Sequence, residues 1–339
     1  MLKPYIAEII NGRSLTFDQA KTAMTIIMTG EATQAQIGGY LTALRMKGET
    51  VEEVGGSAAA MRELYIPVKP EERGDIIMDV VGTGGDGRHT FNISTTSAFV
   101  VAGVDGYRIA KHGNRGASSK SGSADVLIAL GANLNIGAAE VKTCIDEVDI
   151  GFMFAVKHHP AMRHAIGPRR ELAQRTVFNI LGPLTNPADA KHYMIGTFAP
   201  YLTDQMGGSL RDLGAESAFI VHGADGLDEL SITGVNKLTH LHNGTLENIE
   251  LDPTDIGIPR GSLDDLIGGE PAENAQITRD ILGGKLTGPK LDIVLLNSAV
   301  ALSTQTRDFK AGLAKARESI ESGKALATLD AWIAKTNSF

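Results

Sequence analysis

The sequence predicts an α/β protein in which a small all-helical domain is joined to a larger α/β domain with a mainly parallel central sheet. Residues 1–67 space their apolar residues at helical intervals and show no period-2 alternation. Strand-like and helix-like segments alternate beyond the proline- and charge-rich stretch "IPVKPEERGD". One hairpin pattern follows late in the chain. We therefore expect residues 1–70 to form the small domain and residues 71–339 the larger one.

The helical domain rests on amphipathic segments that turn residues separate. These segments are "LKPYIAEIIN", "FDQAKTAMTIIMTG", "QAQIGGYLTALRMKG" and "TVEEVGGSAAAMREL". Their apolar residues recur at intervals of three and four, which predicts helices that bury one face.

The larger domain rests on strands that follow one another about one helix apart. The predicted order is strand Ile76–Val81, helix Thr95–Ala102, strand Tyr107–Ala110, helix Ala124–Leu130, helix Ala138–Val148, strand Gly151–Ala155, and strands near Tyr193–Phe198 and Ser217–His222. This order indicates a mainly parallel sheet covered by helices. "TGVNKLTHLHNGTLENIEL" alternates around an Asn-Gly pair and predicts a hairpin, and "LDIVLLNSAVAL" predicts a buried element in a helical C-terminal third.

Composition excludes several classes of protein. The 339-residue chain is 42% hydrophobic with a net charge of −8, which disfavours non-specific binding to nucleic acid or an anionic membrane. The single cysteine, Cys144, excludes an intrachain disulfide and a cysteine-cluster metal site. No uninterrupted apolar stretch approaches a membrane span, and the start "MLKPYIAEIINGRS" does not read as a signal peptide. We expect a cytoplasmic protein.

The stretch "GTGGDGRHTFNIST", residues 82–95, contains a dinucleotide-binding fingerprint in letters only. Gly82, Gly84 and Gly87 satisfy G-x-G-x-x-G. A Rossmann loop needs its third glycine in the first turn of the helix and an acid at the end of the next strand. Here "RHTFN" separates Gly87 from the helix, and Asp105 precedes the strand "YRIA". No Gly-Lys-Ser/Thr follows, which excludes a Walker A loop.

The same stretch favours two adjacent anion sites. Glycines at 82, 84 and 85 permit backbone N–H groups to surround an anion. Asn92, Ser94 and Thr95 fall at a predicted helix start, where free N–H groups and hydroxyls also favour an anion. The alternative for Ser94 and Thr95 is that they cap their own helix. Two neighbouring anion sites indicate a ligand with two separated phosphate groups.

A second polar loop, "AKHGNRGASSKSGSADVLIAL", follows the strand "YRIA". Lys111, His112, Asn114 and Arg115 crowd the end of that strand, where open α/β sheets bind ligands. Ser118, Ser119 and Ser123 lead into the next helix, with Ser123 as its expected N-cap. The alternative is a solvated polar loop.

Adjacent acids follow a further strand in "AFIVHGADGLDE". Carboxylates suit hard cations that reach a ligand through phosphate oxygens and water, so Asp228 and Glu229 are candidate metal ligands. A solvated turn is the alternative.

The motifs resemble those of the anthranilate phosphoribosyltransferases. "GTGGDG..TFNIST", "KHGNR..SSKSGSADVL", "HPAMR", "RTVFNILGPLTNP" and "DGLDE" occur in that family's order and spacing, and the similarity spans nearly the whole chain. The resemblance implies a nucleoside phosphorylase/phosphoribosyltransferase-like fold and two substrates, phosphoribosyl pyrophosphate (PRPP) and anthranilate. The implied PRPP-binding residues are Gly82, Gly85, Asp86, Thr90, Asn92, Ile93, Ser94, Thr95, Lys111, His112, Gly113, Asn114, Arg115, Ser118, Ser119 and Ser123.

The resemblance also implies the remaining roles. Gly82, Asn114 and Arg169 would bind anthranilate, with the planar Arg169 fork on its carboxylate. Ser94, Asp228 and Glu229 would hold two Mg²⁺ ions. No side chain is nominated as a catalytic acid or base, because an aromatic amine can lose its proton after attack. His112 and His159 are expected to shape the loops.

Two positions depart from the family pattern. Val156 stands where a proline is frequent, and Gly167-Pro168 replaces Pro-Val before Arg169, which bears on how Arg169 is posed. The resemblance also implies a helical insertion near residues 165–190 that joins the small domain, a hinge at Pro183 and Pro187, and a homodimer. Two other functions stay open at this point: a pyrimidine nucleoside phosphorylase and a non-catalytic relative that binds nucleic acid.

Overall fold

The computed structural model describes residues 1–116 and 120–339, and the predicted N-terminal helices are present. They are α1 (Lys3–Ile10), α2 (Phe17–Met28), α3 (Gln34–Lys47) and α4 (Val51–Leu64). Thr16, Thr33 and Thr50 each accept a hydrogen bond from the third backbone N–H of the helix that follows, and the side chain at that third position bonds back. These capping boxes fix where α2, α3 and α4 begin.

Beyond these helices, the described chain contains one seven-stranded sheet. Its strands are β1 (Ile76–Gly82), β2 (Tyr107–Gly113), β3 (Ile150–Phe154), β4 (His192–Gly196), β5 (Ser217–His222), β6 (Asn236–His242) and β7 (Thr245–Leu251). The spatial order is β3-β2-β1-β4-β5-β6-β7, and β3 to β5 in that order pair in parallel. β6 and β7 add an antiparallel hairpin, whose turn at Asn243-Gly244 has φ of 48° and 77°. The mainly parallel sheet and the hairpin are confirmed.

The strands are joined and covered by further helices. These are α5 (Ile93–Ala102), α6 (Ser123–Ala129), α7 (Ala138–Val148), α8 (Ala155–His158), α9 (Arg163–Leu172), α10 (Phe178–Leu181), α11 (Leu202–Asp212), α12 (Pro271–Leu282), α13 (Pro289–Ala301), α14 (Phe309–Glu321) and α15 (Lys324–Thr336). The predicted buried element is α13, which is buried from Ile293 to Ala301.

Each face of the sheet packs into its own hydrophobic core. Met78 and Val80 of β1 point into one core, together with the C-terminal helices. Tyr193 and Ile195 of β4 point into the other, together with α1 to α4 and the chain around α10. The N-terminal helices therefore cover one face of the sheet rather than standing apart from it, and the period-2 alternation of the strands assigns each residue to its core.

Three predicted boundaries are wrong in ways that matter for the site. β2 continues from Ala110 to Gly113, so Lys111 and His112 belong to the strand. α5 begins at Ile93, two residues before the predicted start. α6 is capped at Gly122, because Ser123 is its first helical residue and its hydroxyl donates instead to the carbonyl of Asn114 at 3.2 Å. Among the described residues, no helix is both long and apolar enough to cross a membrane.

Candidate active site

The two central strands of the sheet end at a crevice. The chain leaves β1 toward β2 on one side and leaves β4 toward β5 on the other, which makes the β1–β4 junction the topological switch point of the sheet. Gly82 and Gly196 are partners there. A Cβ on Gly196 would lie 1.7 Å from the Asp228 carbonyl oxygen, and one on Gly82 would lie 2.3 Å from Asp228 Oδ2. Glycine at both strand ends therefore leaves room for Asp228 of the "DGLDE" segment to pack directly against them.

The glycine loop after β1 presents backbone donors. Gly84, Gly85 and Gly87 have φ of 74°, 77° and 73°, a left-handed conformation that glycine adopts without steric cost. The N–H of Gly84 donates to the Asp228 carboxylate. Within residues 1–116 and 120–339, the N–H groups of Gly85, Asp86 and Gly87 have no hydrogen-bond acceptor. Consecutive free donors in this conformation form the kind of nest that binds anions.

The start of α5 supplies a second set of donors. Its N-cap residue Asn92 does not cap it, since the Asn92 amide donates to the carbonyl of Ser121 at 3.1 Å and its oxygen accepts from Asn274 at 3.0 Å. Ser94 and Thr95 lie inside the first turn, so the alternative that they cap the helix is wrong. The N–H of Ser94 donates to Glu229 Oε1 at 3.1 Å. The helix start thus faces the acidic segment, and its positive end suits an anion or a carboxylate.

Three carboxylates gather beside these donors. The N–H of Asp228 lies 3.5 Å from Asp86 Oδ2. Burial, and then the charges of Glu229 and Asp86, raise the pKa of Asp228 well above its usual range. Burial raises the pKa of Glu229 to about 7, against the opposing charge of Lys111. Mutual repulsion of this kind disfavours the charged forms unless a cation joins them.

Lys111 and His112 are buried residues of β2 rather than members of the polar loop that follows it. Lys111 is 2% exposed and its ammonium donates to the carbonyl of Val80. Burial lowers its pKa, and the charges of Asp79, Glu229 and Asp228 oppose that shift. The prediction that Lys111 projects from a polar loop is therefore corrected: it is a buried positive charge under the acidic segment.

His112 and His159 join β2 to the turn that carries Pro183. His112 Nδ1 lies 3.0 Å from the carbonyl oxygen of Gly182, and the two Nε2 atoms lie 3.1 Å apart. Burial lowers the pKa of both rings, that of His159 to about 4. The expectation that both shape the loops agrees with these contacts.

A buried hydrogen-bond network that the sequence analysis missed fixes the same region. Asp79 of β1 is fully buried and accepts the N–H of His112 at 3.2 Å and the amide of Asn186 at 2.7 Å. Asn186 also donates to the carbonyl of Ala110 at 2.7 Å. The signal was present, because a carboxylate inside the apolar strand "IIMDVV" must find partners.

Arg169 lies on α9, even though Pro168 lies inside that helix. Its guanidinium carbon is 5.0 Å from the centre of the Phe178 ring. Burial lowers the pKa of Arg169, and in the described part of the chain no carboxylate lies within ion-pair distance of it. A half-buried arginine without an internal anion is suited to an external carboxylate.

The other predicted residues are placed as follows. Thr90 pairs with Ile267 in an isolated bridge, and the Asn114 carbonyl accepts the N–H of Ala124 at 3.1 Å. Gly113 ends β2, and Asn114 and Arg115 are exposed just beyond it. Ser118 and Ser119 lie outside the described residues.

Arg175, which the sequence analysis did not single out, also reaches the glycine loop. Its guanidinium donates to the Gly85 carbonyl oxygen and lies over the Phe198 ring, 4.4 Å from the ring centre. The signal was the arginine in "RTVFNILGPLTNP", which was used only as part of a motif.

Two family models match the chain. A glycosyl transferase family helical bundle domain matches residues 3–64, and a glycosyl transferase family a/b domain matches residues 74–326. An anthranilate phosphoribosyltransferase of Acetivibrio thermocellus is 49% identical over 341 residues, which cover 100% of this chain and 98% of the relative. One from Rhizobium meliloti is 49% identical over 339 residues, which cover 99% and 98%.

Solved structures agree with the sequence relatives. The anthranilate phosphoribosyltransferase of Thermus thermophilus superposes with a TM-score of 0.91 at 41% identity, covering 98% of this chain and 99% of that one. The enzyme from Saccharomyces cerevisiae in complex with PRPP and Mg superposes with a TM-score of 0.92 at 29% identity, covering 100% and 98%.

Proposed function

The chain belongs to the anthranilate phosphoribosyltransferase family, and we propose that it transfers the phosphoribosyl group from PRPP to the amine of anthranilate. The products are phosphoribosylanthranilate and pyrophosphate, which places the reaction in tryptophan biosynthesis. One observation carries the proposal: the glycine loop, through the N–H of Gly84, and the start of α5, through the N–H of Ser94, both hydrogen-bond the same acidic segment, Asp228-Glu229. This arrangement suits a ligand with two phosphate-bearing ends.

PRPP would bind across these two donor sets. The N–H groups of residues 85–87 would receive the pyrophosphate, and the start of α5 with Ser94 and Thr95 would receive phosphate. Lys111 would act from below, as a buried positive charge that offsets the acids, and the residues of the loop after β2 would complete the site. The support for this binding mode is strongest at residues 85–87, whose backbone N–H groups have no hydrogen-bond acceptor among the described residues.

Magnesium would be held by Asp228, Glu229 and Ser94, with two ions in each site. The residues fit a hard cation, because carboxylate oxygens gather there with raised pKa values. Among the described residues, no three His, Cys, Asp or Glu side chains are grouped to hold a metal ion by themselves. Phosphate oxygens and water would therefore supply the other ligands. Bound Mg²⁺ would neutralise part of the charge on the diphosphate.

Anthranilate would bind on the opposite side of the cleft. The planar guanidinium of Arg169 matches the substrate carboxylate, and Phe178 holds that guanidinium from its other face. Asn114 and Gly82 would contact the same substrate. Both positions adjoin the loops that would hold PRPP, which brings the amine toward the ribose.

The reaction needs positioning and charge stabilisation more than proton transfer. The bond between ribose C1 and the pyrophosphate oxygen breaks, and pyrophosphate leaves with the electron pair. The amine nitrogen bonds to C1 from the opposite face and then loses its proton to solvent. The free N–H groups of the glycine loop would stabilise the charge that develops on the leaving group. His112 and His159 have lowered pKa values and contact each other, which favours a positioning role over a catalytic one.

We also propose the domain limits, the assembly and the location of the enzyme. The small domain would comprise residues 1–70 with the insertion near 165–190, since Ala165, Phe178 and Leu181 share a core with the N-terminal helices. The larger domain would comprise residues 71–339. The enzyme would act as a cytoplasmic homodimer, and Ile10, which is 70% exposed at the end of α1, offers apolar surface for it. Sedimentation at micromolar concentration tests the dimer.

The test of the activity follows the fluorescence of anthranilate. The protein is mixed with Mg²⁺, PRPP and anthranilate, and we expect the fluorescence to fall only when the protein, Mg²⁺ and PRPP are all present. Retention of the signal at ample enzyme would overturn the proposal. Release of uracil from uridine and phosphate would point to a nucleoside phosphorylase instead, and retention of labelled nucleic acid without turnover would point to a binding protein.

A further inference from the structure

We propose that Arg175 is a positioning residue that holds the glycine loop in its pyrophosphate-binding conformation. The inference rests on the proposed function, because the pyrophosphate of PRPP is the ligand of that loop. It assigns to the chain between α9 and α10 a direct effect on PRPP binding. That chain otherwise belongs to the segment that carries Arg169 and the anthranilate side of the cleft.

Two contacts fix the Arg175 side chain, and both lead to the glycine loop. Its guanidinium donates to the Gly85 carbonyl oxygen, and it lies over the Phe198 ring. Phe198 is itself tied to the loop, because its N–H donates to the Thr83 hydroxyl at 3.2 Å. Thr83 in turn donates its N–H to the carbonyl of Gly196 at 2.9 Å. Arg175, the chain after β4 and the glycine loop therefore form one connected unit.

The geometry of the peptide bond gives the Gly85 contact its consequence. In a trans peptide the carbonyl of Gly85 and the N–H of Asp86 point in opposite directions. An arginine that holds the carbonyl on one side of the loop therefore aims the Asp86 N–H to the other side. That N–H is one of the donors without an internal acceptor in the described residues. The positive guanidinium beside the Gly85 carbonyl oxygen also polarises the peptide group, which strengthens the Asp86 N–H as a donor.

The loop requires such support because its backbone is permissive. Gly84, Gly85 and Gly87 each adopt a positive φ, and glycines reach other conformations at little cost. Arg175 also lines an open cavity of about 390 Å³ together with Leu41, Thr42 and Arg45 of α3. Because Arg175 is exposed, its contacts with Gly85 and Phe198 are what orient the side chain toward the loop.

The test compares Arg175→Ala with Arg170→Ala in the full-length enzyme. Both variants remove one positive charge, and Arg170 is exposed on α9, five residues before Arg175, with no ion pair in the described chain. We expect Arg175→Ala to raise the KM for PRPP about tenfold, as the loss of a charge-assisted hydrogen bond would. The kcat and the KM for anthranilate should change by less than about threefold, and Arg170→Ala should match the wild type. Titration of inorganic pyrophosphate with Mg²⁺ should show the same loss of affinity.

Further variants separate positioning from a purely structural role. Arg175→Lys keeps a donor but loses the planar fork, so its KM for PRPP should fall between wild type and Arg175→Ala. Phe198→Leu should also raise that KM, and the double variant with Arg175→Ala should be no worse than the single one, since both act through one unit. Arg175→Met, which keeps the aliphatic stem but has no N–H donor, decides the matter if Arg175→Ala does not fold.

Three results would overturn the inference: a KM for PRPP in Arg175→Ala equal to that of Arg170→Ala, an unchanged KM in a folded Arg175→Met, or fully additive effects with Phe198→Leu. An inactive wild type would instead contradict the proposed function. The two failures are therefore distinguishable.

Discussion

The Nε2 atoms of His112 and His159 lie 3.1 Å apart, so one ring must donate to the other. His112 Nδ1 donates to the Gly182 carbonyl oxygen at 3.0 Å, which leaves the Nε2 of neutral His112 as an acceptor. A hydrogen bond between the two neutral rings then requires the proton on His159 Nε2, in competition with the Thr185 backbone, which also hydrogen-bonds the His159 ring. The pair connects the end of β2 to the turn between α10 and β4. Burial lowers the pKa of His112, so this ring is neutral in the connection.

Acid should weaken this connection. Burial lowers the pKa of His159 from 6.5 to about 4, so its neutral form is favoured in the folded state. The stability it contributes is present above pH 6.5 and is lost as the pH falls from 6.5 toward 4; a shift of that size corresponds to about 3 kcal/mol. Urea unfolding at pH 7.5 and pH 4.5 should show a smaller acid loss for His159→Phe than for the wild type. His89→Asn, which removes an exposed imidazole, should retain the wild-type loss, and equal losses in all three proteins would contradict the assignment.

Arg169 should control the affinity for anthranilate. Arg169→Ala removes the fork that would face the substrate carboxylate, and we expect the anthranilate KM to rise roughly tenfold or more. The KM for PRPP should change little. Arg170→Ala removes the same charge from the next residue and serves as the control. Steady-state kinetics that show no difference between the two variants would place the carboxylate elsewhere.

Asp228 should control the dependence on magnesium. Asp228→Asn keeps an oxygen that can accept the N–H of Gly84 but removes a charge, so the half-saturating Mg²⁺ concentration should rise about tenfold. Asp105→Asn removes an equal charge at the exposed turn before β2, where Asp105 pairs with Lys324 at 2.9 Å, and should leave that concentration unchanged. Activity titrated with MgCl₂ measures both, and the same half-saturating concentration for Asp228→Asn and wild type would exclude Asp228 as a ligand.

Glycine at the end of β4 should be indispensable. A Cβ at Gly196 would lie 1.7 Å from the Asp228 carbonyl oxygen, so Gly196→Ala must displace the acidic segment. We expect a loss of roughly 3 kcal/mol or more in the free energy of unfolding, as for severe overpacking. Gly39→Ala, in α3 with no atom within 4 Å of the new Cβ, should instead stabilise by about 0.5–1 kcal/mol. Thermal melts compare the two, and a wild-type Tm for Gly196→Ala would contradict the crowding.

Much of the fold was predictable because the signals are local. The capping threonines at positions 16, 33 and 50 and the apolar runs of β1 and β5 are signals that depend only on neighbouring residues. The strand end at Ala110 was misplaced because Lys111 and His112 read as polar loop residues. Both are buried, the first against the carbonyl of Val80 and the second against Asp79 and His159.

The parts of the candidate site that form sequence motifs were predictable, whereas the contacts that depend on tertiary packing were not. The glycine loop and the acids at 228 and 229 stand in the sequence as patterns. The link from Arg175 to Gly85 joins residues 90 positions apart and forms only once the chain between α9 and α10 lies beside the glycine loop. Likewise, the amide of Asn186 reaches Asp79 only once the turn after α10 has packed against the sheet. No local periodicity encodes such contacts.

Residues 163–184 belong to one part of the fold by chain connection and to another by packing. Covalently they connect β3 to β4, yet Ala165, Phe178 and Leu181 are buried with the N-terminal helices. A backbone cleavage between α4 and β1 would leave two polypeptides that each expose half of one hydrophobic core. Such fragments should recombine when mixed. In the recovered complex, residues 163–184 would again pack on the N-terminal helices, which would restore the position of Arg169.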